Sequence, residues 1–152
     1  MKEEFGNLVS RLPHLLEQLV SSPALDRSKS RRLPKRGVYV FYERREPVYV
    51  GRSNRMKERI LEHGRPSSDR YSATFALRLA KDAAKQKGID LSKTSAQLEK
   101  DPGFAGLFSQ ARKRVSEMRV RAVEIKDPIV QTLFEVYAHM ALRTEYNDFD
   151  TH

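Results

Sequence analysis

Glu135 is the residue whose setting asks most for an explanation. Around it run Ile129, Val130, Leu133, Phe134, Val136, Tyr137, Met140, Ala141 and Leu142. A helix built from these residues is apolar on nearly every side and must be largely buried. A carboxylate on such a helix is costly to desolvate unless it meets a cation, a metal ion or hydrogen-bond donors. The competing reading is a narrow polar stripe. Gln131 and His139 stand four residues to either side of Glu135 and share its helix face, which could simply meet solvent.

A second set lies earlier in the chain. Arg55, Arg59 and His63 are also spaced four apart on one predicted helix face, with Met56 and Ile60 on the other. Arginines so placed can grip a phosphate through two parallel hydrogen bonds. An ordinary solvated basic face has the same pattern. Just before them come two tyrosines, in Gly37-Val38-Tyr39 and Tyr49-Val50-Gly51. Aromatic residues in strands pack cores by default, so the tyrosines alone assign nothing.

The overall charge gives these residues a context. The chain of 152 residues carries a formal net charge of +9, which favours polyanionic partners, above all nucleic acid. Six of the ten residues from Arg27 to Arg36 are basic: Arg27, Lys29, Arg31, Arg32, Lys35 and Arg36. Further groups are Arg52, Arg55, Lys57 and Arg59, and then Arg112, Lys113, Arg114, Arg119 and Arg121. There is no cysteine, which excludes disulfides, thiolate metal sites and a cysteine nucleophile. No apolar run has transmembrane length and no secretory signal opens the chain, so the expectation is a cytoplasmic protein without membrane association.

The elements that must position these residues can be read from periodicity. Residues 4–20 predict an amphipathic helix, kinked or split at Pro13. Residues 21–36 predict a loop free to move. Gly37 to Glu43 predicts a strand buried on both faces, with a return strand from Pro47 to Gly51, and so a hairpin. Asn54 is the expected N-cap of a helix to His63, stopped by Gly64. Helices are expected over 72–87, within 90–99 and over 103–116. Met118 to Ile125 alternates as a third strand, and Asp127-Pro128 opens a last helix to about Arg143. The order α–β–β–α–α–α–β–α implies an α+β domain with a three-stranded central sheet. The expected divisions are a helical extension at 1–22, a basic loop at 23–36, and a domain at 37–149 with a helical insert at about 64–116.

Taken together, the two tripeptides and three residues downstream of them resemble the GIY-YIG nuclease signature. Nine residues separate the tripeptides, and Arg59 comes ten residues after Tyr49 on the next helix. Glu135 lies on the helix after the third strand, and Asn147 lies twelve residues beyond it. The resemblance covers roughly residues 36–149. The chain departs from the family in its long insert, in Arg52 where lysine is common, and in His63 where tyrosine or histidine is seen.

The resemblance implies a central antiparallel sheet flanked by helices and a divalent-metal-dependent endonuclease, with DNA as the expected substrate. It implies Glu135 as ligand to one Mg²⁺ or Mn²⁺ ion, a hard cation that keeps several waters. It implies Tyr49 as general base assisted by Tyr39, with His63 as the alternative base. Arg59 would stabilise the phosphate, and Asn147 would orient the site. Arg31, Arg32, Lys35, Arg36, Arg52 and Arg55 would hold the substrate backbone, which gives affinity and register without reading sequence. Target choice would then rest on nucleic-acid shape, on the insert, or on a protein partner or second subunit. The alternative is a nucleic-acid-binding module that keeps the fold and cleaves little or not at all.

Overall fold

The structure is a computed structural model that describes residues 1–150. It divides into two units, Met1–Lys57 with Met118 onwards, and Glu58–Glu117. The elements are α1 (Lys2–Ser10), α2 (Leu12–Ser21), β1 (Gly37–Glu43), β2 (Glu46–Ser53), α3 (Met56–Gly64), α4 (Thr74–Gln86), α5 (Ser95–Lys100), α6 (Pro102–Ser116), β3 (Arg119–Glu124) and α7 (Pro128–Leu142). The fold class is α+β, and the three strands form an antiparallel sheet in the order β2–β1–β3.

The first unit is built on that sheet. Side chains alternate across a strand, so Val38, Val40 and Val50 share one face. They form a core with Leu12, Leu15 and Leu19 of α2, Val123 and Ile125, and Val130, Phe134 and Ala138 of α7. Gly37 starts β1 at a φ of 151°, and a Cβ there would run into the Val123 carbonyl oxygen. Only glycine tolerates both conditions. The hairpin turns at Arg44 and Arg45, with φ of 52° and 70°. Asp127 opens α7 by accepting from the amides of Ile129 and Val130 at 2.8 and 3.3 Å, with Pro128 in the first turn.

Three local expectations are corrected. The N-terminal helix breaks at Arg11, not at Pro13, which sits in the first turn of α2. Proline displaces the carbonyl four residues upstream, so the discontinuity precedes it. The break also divides the apolar stripe: Leu12, Leu15 and Leu19 are buried, while α1 buries no residue. The basic segment is tethered, with a 3-10 turn at Arg27–Arg32 capped by Asp26. Leu25 exchanges two backbone bonds of 2.8 Å with Val120, and the Lys35 and Arg36 carbonyls accept from Met56 and Ile125. At the start of α3, Ser53 Oγ accepts from the Arg55 amide at 2.9 Å. The Asn54 side chain instead accepts a hydrogen bond from Gln131.

The second unit is helical. Thr94 and Gln97 form a capping box at α5, and Asp101 caps α6 through the amides of Gly103 and Phe104. Phe75, Leu79, Leu98, Phe104 and Phe108 are buried. No helix among the described residues is long and apolar enough to cross a membrane.

Candidate functional site

The hairpin register decides where the two phenols go. Tyr39 pairs with Gly51 and Phe41 with Tyr49, while Val40 pairs with Val50. Tyr39, Phe41 and Tyr49 therefore share the sheet face opposite Val38, Val40 and Val50. Tyr39 is 1% exposed and meets Phe41 edge-on at 5.7 Å. Its ring lies against Gly51 where a Cβ would stand, so the glycine of the second tripeptide is set by the tyrosine of the first. Tyr49 is half-buried, with its ring 6.4 Å from Phe41.

On the other face, the polar stripe of α7 turns inward instead of meeting solvent. Gln131 is buried, and its amide donates to Asn54 Oδ1 at 3.1 Å and to the Ile125 carbonyl at 2.6 Å. The Glu135 side chain is 22% exposed, and its Oε1 lies 3.7 Å from Arg52 Nε. Burial raises the Glu135 pKa above its ordinary value, and the Arg52 charge opposes that rise. His139 reaches Thr144 at 2.7 Å, the third rung of the same seam.

That third rung leads to Asn147. Its Oδ1 accepts from the Val50 amide at 2.8 Å, and its Nδ2 donates to the Val50 carbonyl at 2.8 Å. The Tyr146 amide donates to the Val48 carbonyl at 3.1 Å. β2 is an edge strand, so residues 146–147 cover backbone groups that the sheet leaves open. Thr144 Oγ1 donates to Asn147 Oδ1 at 2.8 Å. The Thr144 hydroxyl has one proton, so it must accept from His139, whose Nδ1 carries the hydrogen.

The predicted residues on α3 are held within the second unit. Arg59 donates to the Ser72 carbonyl at 2.8 Å and to Thr74 Oγ1 at 3.1 Å, and lies 3.4 Å from Glu62. His63 is fully buried and packs edge-on against Phe75. Burial, with the Arg59 charge beside it, lowers the His63 pKa to about 3. Such an imidazole stays neutral and is a weak proton acceptor, so the geometry favours a packing role for it over that of a base.

The basic residues divide. Arg31, Arg32, Lys35, Arg52 and Arg55 are exposed and Arg36 is half-buried. The third basic group is largely structural: Arg121 donates to the carbonyls of Val20 and Ser22, Arg119 to Ala24, and Arg112 to Ser68.

The structure thus joins Glu135 to Arg52, Asn147 to the residue between Tyr49 and Gly51, and Tyr39 to Gly51. It sets Glu135 and the phenols on opposite faces of the hairpin. Sequence reasoning missed Asn54, Ser72, Thr74 and Thr144 as partners; Gln131 and His139 were visible through their spacing from Glu135. Among the described residues, no group of three or more His, Asp or Glu side chains could hold a metal ion. One carboxylate with Arg52 beside it fits only a hard cation that takes its other ligands from water and phosphate. Comparisons with protein-family models, curated proteins and solved structures find no match to this chain.

Proposed function

We propose that the chain is a divalent-metal-dependent endonuclease of the GIY-YIG type, hydrolysing phosphodiester bonds in DNA. The observation that carries the reading is the half-buried carboxylate of Glu135 beside Arg52, on the strand that also bears Tyr49. A structural role gives little reason to keep an acid whose burial raises its pKa.

In this reading Glu135 holds one Mg²⁺ or Mn²⁺ ion, which would supply charge stabilisation at the scissile phosphate. Tyr49 takes a proton from the attacking water, because it is the less buried of the two phenols. Tyr39 fixes the hairpin against Gly51, and Asn147 fixes the strand between Tyr49 and Gly51. By the resemblance Arg59 would stabilise the phosphate, and within its own unit His63 supports the helix that carries Arg59. Arg31, Arg32, Lys35, Arg36 and Arg55 hold the substrate backbone.

The second reading is a nucleic-acid-binding module without cleavage. It is favoured by Arg59, whose guanidinium is already bonded to Ser72 and Thr74. A plasmid-nicking assay with Mg²⁺ or Mn²⁺ and an EDTA control separates the two. Nicking that EDTA abolishes, and that Tyr49→Phe slows at least tenfold, supports the nuclease. Plasmid binding without nicking supports the module.

A further inference from the structure

The loop that opens α4 displays an aromatic ring in an unusual way. Tyr71 is 70% exposed. An exposed tyrosine on a loop ordinarily samples several rotamers and moves with its backbone. Here the backbone is fixed at three successive residues. The Arg70 amide donates to Glu99 Oε1 at 2.7 Å, and the Tyr71 and Ser72 amides both donate to Asp69 Oδ1 at 3.0 Å. The ring itself is held as well. The Arg70 guanidinium lies over it at 4.4 Å from the centroid and donates to the Tyr71 hydroxyl at 3.1 Å. Glu99 steadies that guanidinium in turn, at 3.3 Å. One face of the ring is thus covered by a cation, and the rest of the ring is largely left to solvent.

We propose that Tyr71 is a stacking platform for an unpaired nucleobase. A ring fixed in advance loses little entropy when a planar group settles on it. The guanidinium beneath extends the stack, as arginine does on aromatic faces. Nucleic acid is favoured over a protein partner by two features. The chain is strongly basic, at +9. The same loop also receives Arg59, which donates to the Ser72 carbonyl one residue from Tyr71. A base on Tyr71 and a phosphate at Arg59 would be neighbours on one strand. The inference deepens the nuclease reading, on which it rests for the role of Arg59. It assigns substrate choice to the helical insert, with a preference for DNA that offers a bulged, flapped or otherwise unpaired base.

The test uses the full chain in EDTA, so that no cutting occurs, with duplexes carrying one 2-aminopurine either fully paired or in a single-base bulge. Expected are tighter binding of the bulged duplex and quenching of its fluorescence as the base stacks. Tyr71→Phe should keep both. Tyr71→Leu should lose the quenching and about tenfold in affinity for the bulged duplex, with little change for the paired one. The ring is exposed, so equal thermal midpoints should confirm that the variants fold. Equal affinities of the Phe and Leu variants, equal binding of both duplexes by the wild type, or no binding at all would overturn the proposal. Absence of nicking in Mg²⁺ alongside intact bulge recognition would sink only the nuclease reading.

Discussion

Asn147 grips Val50 by both of its backbone groups, at 2.8 Å each, from the far end of the chain. One side chain thereby completes the open edge of β2 beside Tyr49 and ties the segment after α7 to the hairpin. Asn147→Ala leaves a strand amide and a carbonyl without that partner, and leaves Thr144 without its acceptor. The expected cost is about 2 kcal/mol. Urea denaturation reads the loss, and hydrogen exchange should show the Val50 amide opening well before the β1 amides.

Glu135 predicts a stability that depends on pH in a particular direction. Its folded pKa is raised, so the fold favours the protonated acid. That contribution is fully present below the ordinary glutamate range and is lost as pH rises through the folded value. Glu135→Gln keeps the shape and removes the charge. The variant should match the wild type near pH 4 and exceed it in stability at pH 7, in denaturation experiments without metal. A variant less stable at pH 7 would mean that the Arg52 pair outweighs the burial.

His63 predicts the opposite slope. Its folded pKa is lowered to about 3, against about 6.5 when unfolded. The unfolded chain takes up a proton below pH 6.5 that the folded chain refuses, so stability falls as pH drops from there toward 3. His63→Leu should flatten the stability profile between pH 6.5 and 4. An unchanged profile would show that the ring is not held neutral.

The hairpin turn stores removable strain. Arg44 and Arg45 both adopt left-handed backbone, which a two-residue hairpin turn requires and which asparagine and glycine accept more readily. Arg44→Asn with Arg45→Gly should stabilise the chain by about 1 kcal/mol or more, read as a rise in Tm. A fall would show that the arginine side chains hold the turn through contacts of their own.

Much of the fold was legible in the sequence, and the reasons are local. Gly37, Asp127 and Pro128 mark element ends through their own backbone chemistry, and the unbroken apolar run from Val38 suggests a strand buried on both faces, which holds as far as Phe41. The helical break at Arg11 was displaced because proline acts one turn upstream. The tether at Leu25 was invisible because a bridge to Val120 joins residues distant in sequence. In the candidate site, spacing displayed the Gln131, Glu135 and His139 stripe but not its direction. Direction depends on which face of α7 meets β2, and apolar residues nearly all round the helix left that open. The partners of Arg59 were hidden for a different reason: Ser72 and Thr74 flank the start of α4, and periodicity does not show which side chain reaches the start of another helix.

The central claim is that Glu135 serves cleavage and not merely folding or binding. Nicking of supercoiled plasmid in Mg²⁺, measured beside DNA affinity and thermal midpoint for the wild type and Glu135→Ala, tests it most directly. The account predicts a nicking rate at least about a hundredfold lower for the variant, with affinity within a few-fold of wild type and a midpoint no lower. Undiminished nicking by Glu135→Ala, or a wild type that binds DNA and never cuts it, would contradict the account.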